Sequence, residues 1–174
     1  MSRPIRRLAR ARDRIAGVTG RVFLLACVLG TGALGQEQGV TPPKDTIFAR
    51  KIMMGSIDMN MDEIETMIAP GGTLDLAEGQ EHADVISIML MAFPHMFPAS
   101  TNQWATTVDR DPATDTYASP EVWSNFKDFY ERAAAASKIA FEASRAKRAA
   151  DFKARIAELR VACNSCHGLY QKTD

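Results

Sequence analysis

The sequence predicts an all-α fold, an antiparallel four-helix bundle, and three observations lead there. Apolar residues recur at steps of three and four along four segments. No run alternates apolar and polar residues as a half-buried strand would. Proline, glycine and N-cap residues punctuate most segment ends. The chain has 174 residues, enough for one domain.

The N-terminal stretch stands apart from this pattern. Arg3, Arg6, Arg7, Arg10, Arg12, Arg14 and Arg21 precede an apolar run from Val22 to Leu34, and Ala33-Leu34-Gly35 has small residues at the positions a signal peptidase reads. Residues 1–35 therefore read as a cleaved secretory signal, and the apolar run is shorter than the ~20 residues a membrane span needs. The mature chain is then expected in the periplasm of a bacterium, without a membrane span. Residues 36–44, with Pro42-Pro43, read as a linker, and 45–174 as the folded domain. Outside the signal there are 14 basic and 20 acidic residues. That balance argues against nucleic acid as a partner, because phosphate binding wants a basic face.

The first helix is predicted from Asp45, as N-cap, to Pro70-Gly71-Gly72. Ile47, Met54, Ile57, Met61, Ile64 and Ile68 form its apolar stripe. Arg50 falls on the same stripe, where a cation must find an anion or bear the cost of desolvation. The second helix is predicted from Leu76 to Phe93. Val85, Ile86, Ile88, Met89 and Met91 leave its later half apolar on most sides, which suits deep burial or a partner surface. Residues 94–118 read as a long connection.

The third helix is predicted to begin at Ser119 as N-cap, with Pro120 at the first helical position and Glu121 at the positive end of the dipole. Its inner face is Val122, Phe126, Phe129, Ala133, Ala136 and Ala140. After a turn near residues 144–149, the fourth helix carries Phe152, Ile156, Leu159, Cys163, Cys166 and Tyr170 on one face.

Cys163-Asn164-Ser165-Cys166-His167 is the one motif that carries chemistry. Two thiols and an imidazole at i, i+3 and i+4 share a helix face. They can bond the two vinyl groups of one porphyrin and reach its iron, which makes this the attachment pattern of a covalent haem c. Three rivals fit less well. A redox dithiol wants a βαβ context. A zinc site wants about four ligands, and only the distant His82 and His95 are left. A structural disulfide leaves the adjacent His167 unexplained.

A CxxCH near the C-terminus of an exported four-helix chain resembles the cytochrome c′ family, the class II c-type cytochromes. Arg50-Lys51-Ile52-Met53-Met54, Phe97-Pro98 and Ser119-Pro120-Glu121-Val122-Trp123 are similar to segments of that family. The resemblance implies that Arg50 sits near a haem propionate and that Met54 holds the distal position. In cytochromes c′ proper that position is non-ligating and iron is five-coordinate; in a low-spin branch a methionine there binds iron. One departure is plain: the family usually has an arginine four residues after the haem histidine, and here Gln171 stands there, followed by Lys172.

From these readings the chain is expected to be a non-enzymatic monohaem carrier of single electrons between redox proteins. His167 and Met54 are the expected iron ligands, with Met53 as the fallback. The alternative is a gas-binding cytochrome c′ with an open distal site for nitric oxide or carbon monoxide. A homodimer is permitted by the apolar second helix.

Overall fold

A computed structural model of the chain describes residues 41–105, 111 and 115–172. The expected signal at 1–35 and most of the linker lie outside the described residues. The elements are α1 (Pro43–Ile68), α2 (Leu76–Ala92), a one-turn α3 (Glu121–Ser124), α4 (Phe126–Ser144) and α5 (Ala149–Tyr170), with 3₁₀ turns at Phe93–Met96 and Ala99–Thr101. The four long helices form the expected four-helix bundle, and among the described residues there is no strand, only an isolated bridge between Ala118 and Gln171. None of the described helices is long and apolar enough to cross a membrane.

α1 begins two residues before the predicted cap. Pro43 occupies its first turn, where a fixed φ and a missing N–H cost nothing, and Asp45 falls inside that turn rather than capping it. The helix ends where Gly71 takes φ +86° and Gly72 lies against the Thr66 and Met67 carbonyls, too close for a Cβ. α2 has a cap the pattern did not single out: Asp75 accepts hydrogen bonds from the Ala77 and Glu78 amides at 2.9 and 3.2 Å. The α2 helix stops at Ala92, and Phe93 opens the 3₁₀ turn that carries Pro94.

The predicted third helix is two pieces. Asn125, at φ −122° and ψ 37°, leaves the helical region between α3 and α4. The break turns Val122 and Phe129 into the core while Phe126, expected inside, is exposed. Ser119 does not cap this helix. It is buried, and its amide and Oγ donate to the Tyr170 and Leu169 carbonyls at 2.9 and 3.4 Å. It thus serves the orphan carbonyls at the end of α5. The α4–α5 turn falls at 145–148, where it was expected.

Helices α2 and α4 meet through small residues. Ala83 and Ser87 of α2 and Ser137, Ala140 and Ser144 of α4 are buried at steps of three and four that permit close backbone approach. Ser87 Oγ donates to the Ser137 carbonyl at 2.9 Å, and Ser137 Oγ returns a bond to the Ser87 carbonyl at 2.8 Å. Phe152 of α5 seals one end, its ring so near Gly79 that a Cβ there would lie 2.8 Å from it. A second, aromatic cluster closes the opposite end: Phe93, Phe97, Phe129 and Tyr170 stack edge to face with centroids 4.8–5.3 Å apart in successive pairs.

Candidate functional site

α5 runs helical through Cys163, Cys166 and His167, so the three side chains share one face, and all three line a cavity of about 480 Å³. That size lies within the range of cofactor sites. α1 supplies Arg50, Met54, Ile57 and Met61 to the wall, α2 supplies Ile86 and Leu90, and α4 supplies Phe129, Arg132, Ala133 and Ala136. Thr116, Tyr117 and Ala118 of the long connection close one side.

Both thiols are half-buried, and no disulfide joins them. Burial raises both thiols, Cys166 to about 11. Partial burial lowers the His167 imidazole, with the Asp58 charge opposing. Its neutral form, the one that ligates iron, is therefore favoured.

Arg50 is 3% exposed. Its guanidinium donates to Thr101 Oγ1 at 2.9 Å, to the Thr101 carbonyl at 3.4 Å and to Thr116 Oγ1. It also lies 4.5 Å from the Phe97 ring centroid and 5.7 Å from that of Trp123. Desolvation lowers it to about 10, so it stays charged at neutral pH. Among the described residues no carboxylate pairs with it. A buried cation on the cavity wall, held by two hydroxyls, a backbone carbonyl and aromatic rings, fits an anionic group of whatever fills the cavity.

Met54 lines the cavity and Met53 does not. Both are half-buried and pack against both core clusters. Gln171 is on the wall, whereas Lys172 points to Glu121, 3.9 Å away. His82 bonds Asn60 at 2.8 Å and His95 meets the Tyr130 ring edge to face, so neither joins the site.

Sequence reasoning missed Arg132 and Arg160, which flank the motif. Arg160 pairs bidentately with Glu65 of α1 at 2.6 and 2.8 Å, and its position one turn before Cys163 was a signal for it. Arg132 reaches Ser165 from α4, and nothing in local spacing relates it to the motif. The Thr101 and Thr116 partners of Arg50 lie in a connection without periodicity, so they too were out of reach.

The family model of cytochrome c′ matches residues 45–171. No curated protein matches the chain by sequence. Solved structures that share its fold include the cytochrome c′ of Shewanella frigidimarina, 21% identical over 77% of this chain and 99% of that one, with a TM-score of 0.66. A second is a cytochrome c′ described by a ligand-controlled dimer dissociation, 21% identical over 77% and 99%, with a TM-score of 0.65. A third is a nitric oxide complex of a mutant cytochrome c′ from Alcaligenes xylosoxidans, 18% identical over 76% and 98%, with a TM-score of 0.64. The chain is a haem protein and belongs to the cytochrome c′ family.

The residues present fit the one covalent c-type haem of that family. Cys163 and Cys166 would take the thioethers, His167 the iron, and Arg50 a propionate. When bound, the haem supplies an iron that exchanges one electron and can take up a small ligand on a free coordination position.

Proposed function

We propose that this chain binds a small neutral gas such as nitric oxide or carbon monoxide, with His167 as the single protein ligand to iron and Met54 as a non-ligating wall of the distal pocket. One observation carries the reading. Met54 is packed against both core clusters, and Ile57, Met61, Ile86, Leu90 and Phe97 give the cavity it lines a large apolar wall. An apolar wall on that side suits a neutral diatomic molecule, while Arg50 and Asp58, one turn to either side of Met54 on α1, supply the polar part of the wall. The nitric oxide complex among proteins of the same fold supports the same reading. The roles of Cys163, Cys166, His167 and Arg50 given above belong to this proposal.

The second reading is a carrier of single electrons between redox proteins, with Met54 as sixth ligand. The observation in its favour is that Met54, and not Met53, lies on the cavity wall. A thioether on iron would raise the potential and close the site. In both readings the protein works by binding or electron exchange and turns over no substrate.

Optical spectra of the purified protein separate the two. Gas binding predicts a high-spin oxidised spectrum and a reduced spectrum that shifts with carbon monoxide. A low-spin spectrum with a far-red methionine–iron band, inert to carbon monoxide, would replace it with the electron-carrier reading. Met54→Ala should quicken carbon monoxide binding about tenfold, a barrier change of ~1.4 kcal/mol, without changing the spin state. If Met54 ligates iron, the same substitution turns a low-spin spectrum high-spin.

Phe48, Ile52 and Met59 on α1 and Val85, Ile88 and Met91 on α2 are exposed. We assign this apolar surface to a second copy of the chain, a reading supported by the neighbour described by its dimer dissociation. Ile88→Glu with Met59→Glu should yield a monomer by analytical ultracentrifugation. An unchanged mass would refute that assignment. Export to the periplasm is part of the same proposal, and mass spectrometry of the mature N-terminus tests it.

A further inference from the structure

α4 holds the haem-attachment segment through a polar network that the family comparison does not assign. Arg132 donates from Nε to Asp128 Oδ2 at 2.7 Å and from Nη1 to Ser165 Oγ at 3.1 Å. Ser165 is one of the two residues enclosed by Cys163 and Cys166. The same Asp128 oxygen accepts the Tyr170 hydroxyl proton at 2.5 Å. The network therefore grips α5 on both sides of His167, at Ser165 and at Tyr170. Arg132 belongs to the cavity wall and Asp128 does not.

The two arginines flanking the motif are not equivalent. Arg160 gives two bonds to the two oxygens of Glu65, so its charge is closely matched. Arg132 has one bond to a carboxylate oxygen that also serves Tyr170, and Asp128 is half exposed to solvent. Its cation is thus less fully offset and faces the cavity beside Cys166. Gln171 brings no charge to that wall, and Lys172 is turned to Glu121.

We propose that Arg132 is the cation that sets the haem reduction potential from the Cys166 side, held in place by Asp128 and Ser165. Reduction adds a negative charge at the iron, and a cation on the cavity wall favours that state. Asp128, farther out, works against it. The proposal rests on a haem in this cavity and not on whether the iron has five or six ligands.

Optically monitored potentiometric titration of the holoprotein tests it. Arg132→Gln should lower the potential, shifting the redox equilibrium threefold to tenfold towards the oxidised state, where tenfold is ~59 mV for one electron. Arg132→Lys should keep most of the parent value. Asp128→Asn should raise the potential, and Ser165→Ala should move it less than Arg132→Gln. The difference between Arg132→Gln and parent should shrink with ionic strength, as expected for half-exposed groups. Equal potentials in Arg132→Gln and parent, or a lowered potential in Asp128→Asn, would reduce the network to a structural tie and overturn the proposal. If Arg132→Gln does not assemble with haem, Asp128→Asn carries the decision: a raised potential supports the proposal, and any other value rejects it. A low-spin spectrum in the same samples would remove the gas-binding reading and leave this comparison of potentials intact.

Discussion

The α2–α4 seam and the α1–α5 side of the bundle are both made from long helices with a buried apolar face, yet one is closed and the other hollow. Along the seam, Ala83, Ser87, Ser137 and Ala140 let the backbones approach until side-chain hydroxyls reach across to carbonyls. On the other side, Arg50, Met54, Met61, Cys163 and His167 hold the helices apart around a cavity. Small residues buy contact between backbones; large and charged ones facing each other leave room for a planar guest. The seam is therefore expected to set stability, and the cleft to set spectrum and ligand chemistry.

Four substitutions sharpen that contrast, and the largest effect is expected at the closed end. Phe152→Ala should cost ~3–5 kcal/mol, since its ring is fully buried against Gly79. Chemical denaturation would read this, and the haem spectrum of the folded protein should be unchanged. Ala140→Leu should cost ~1–3 kcal/mol by overpacking a fully buried position on the seam face of α4. Ser137→Ala should cost ~1 kcal/mol, because one of the two reciprocal bonds to Ser87 is lost. A seam mutant that changed the spectrum and spared stability would break the division of labour.

The smallest effect, and the most specific, is at Tyr170 on the cavity side. Burial and then the bond to Asp128 raise its hydroxyl to about 12, above the ordinary value of 10.0. A group raised in the folded state contributes stability that is full below its unfolded value and lost as pH climbs through the folded one. Stability should thus fall between pH 10 and 12, and Tyr170→Phe should lessen that fall. Melting curves across this window check it; parallel curves for parent and variant would count against it.

Much of the bundle was legible because it rests on periodicity. The stripe Ile47, Ile57, Met61, Ile64 and the face Phe152, Ile156, Leu159, Tyr170 are buried as their spacing requires. The haem motif was legible because it is local: three side chains at i, i+3 and i+4 on one helix need no tertiary knowledge. Where the reading departed, a distant contact had overridden a local preference. Ser119 has the composition of an N-cap but serves the end of α5, and Asn125 interrupts a helix whose pattern ran straight through it. Phe126, the first residue of α4 after that break, is exposed.

By itself, then, the sequence determined four long helices, most of their inward faces and a haem-attachment motif near the C-terminus, since each depends on residues within a turn or two of one another. Tertiary structure alone decided what surrounds that motif. The hydroxyls that hold Arg50 come from 51 and 66 residues away, and Arg132 meets Ser165 across 33. Charge compensation inside a protein depends on distance through space and on burial, and neither is written in the spacing of residues along the chain.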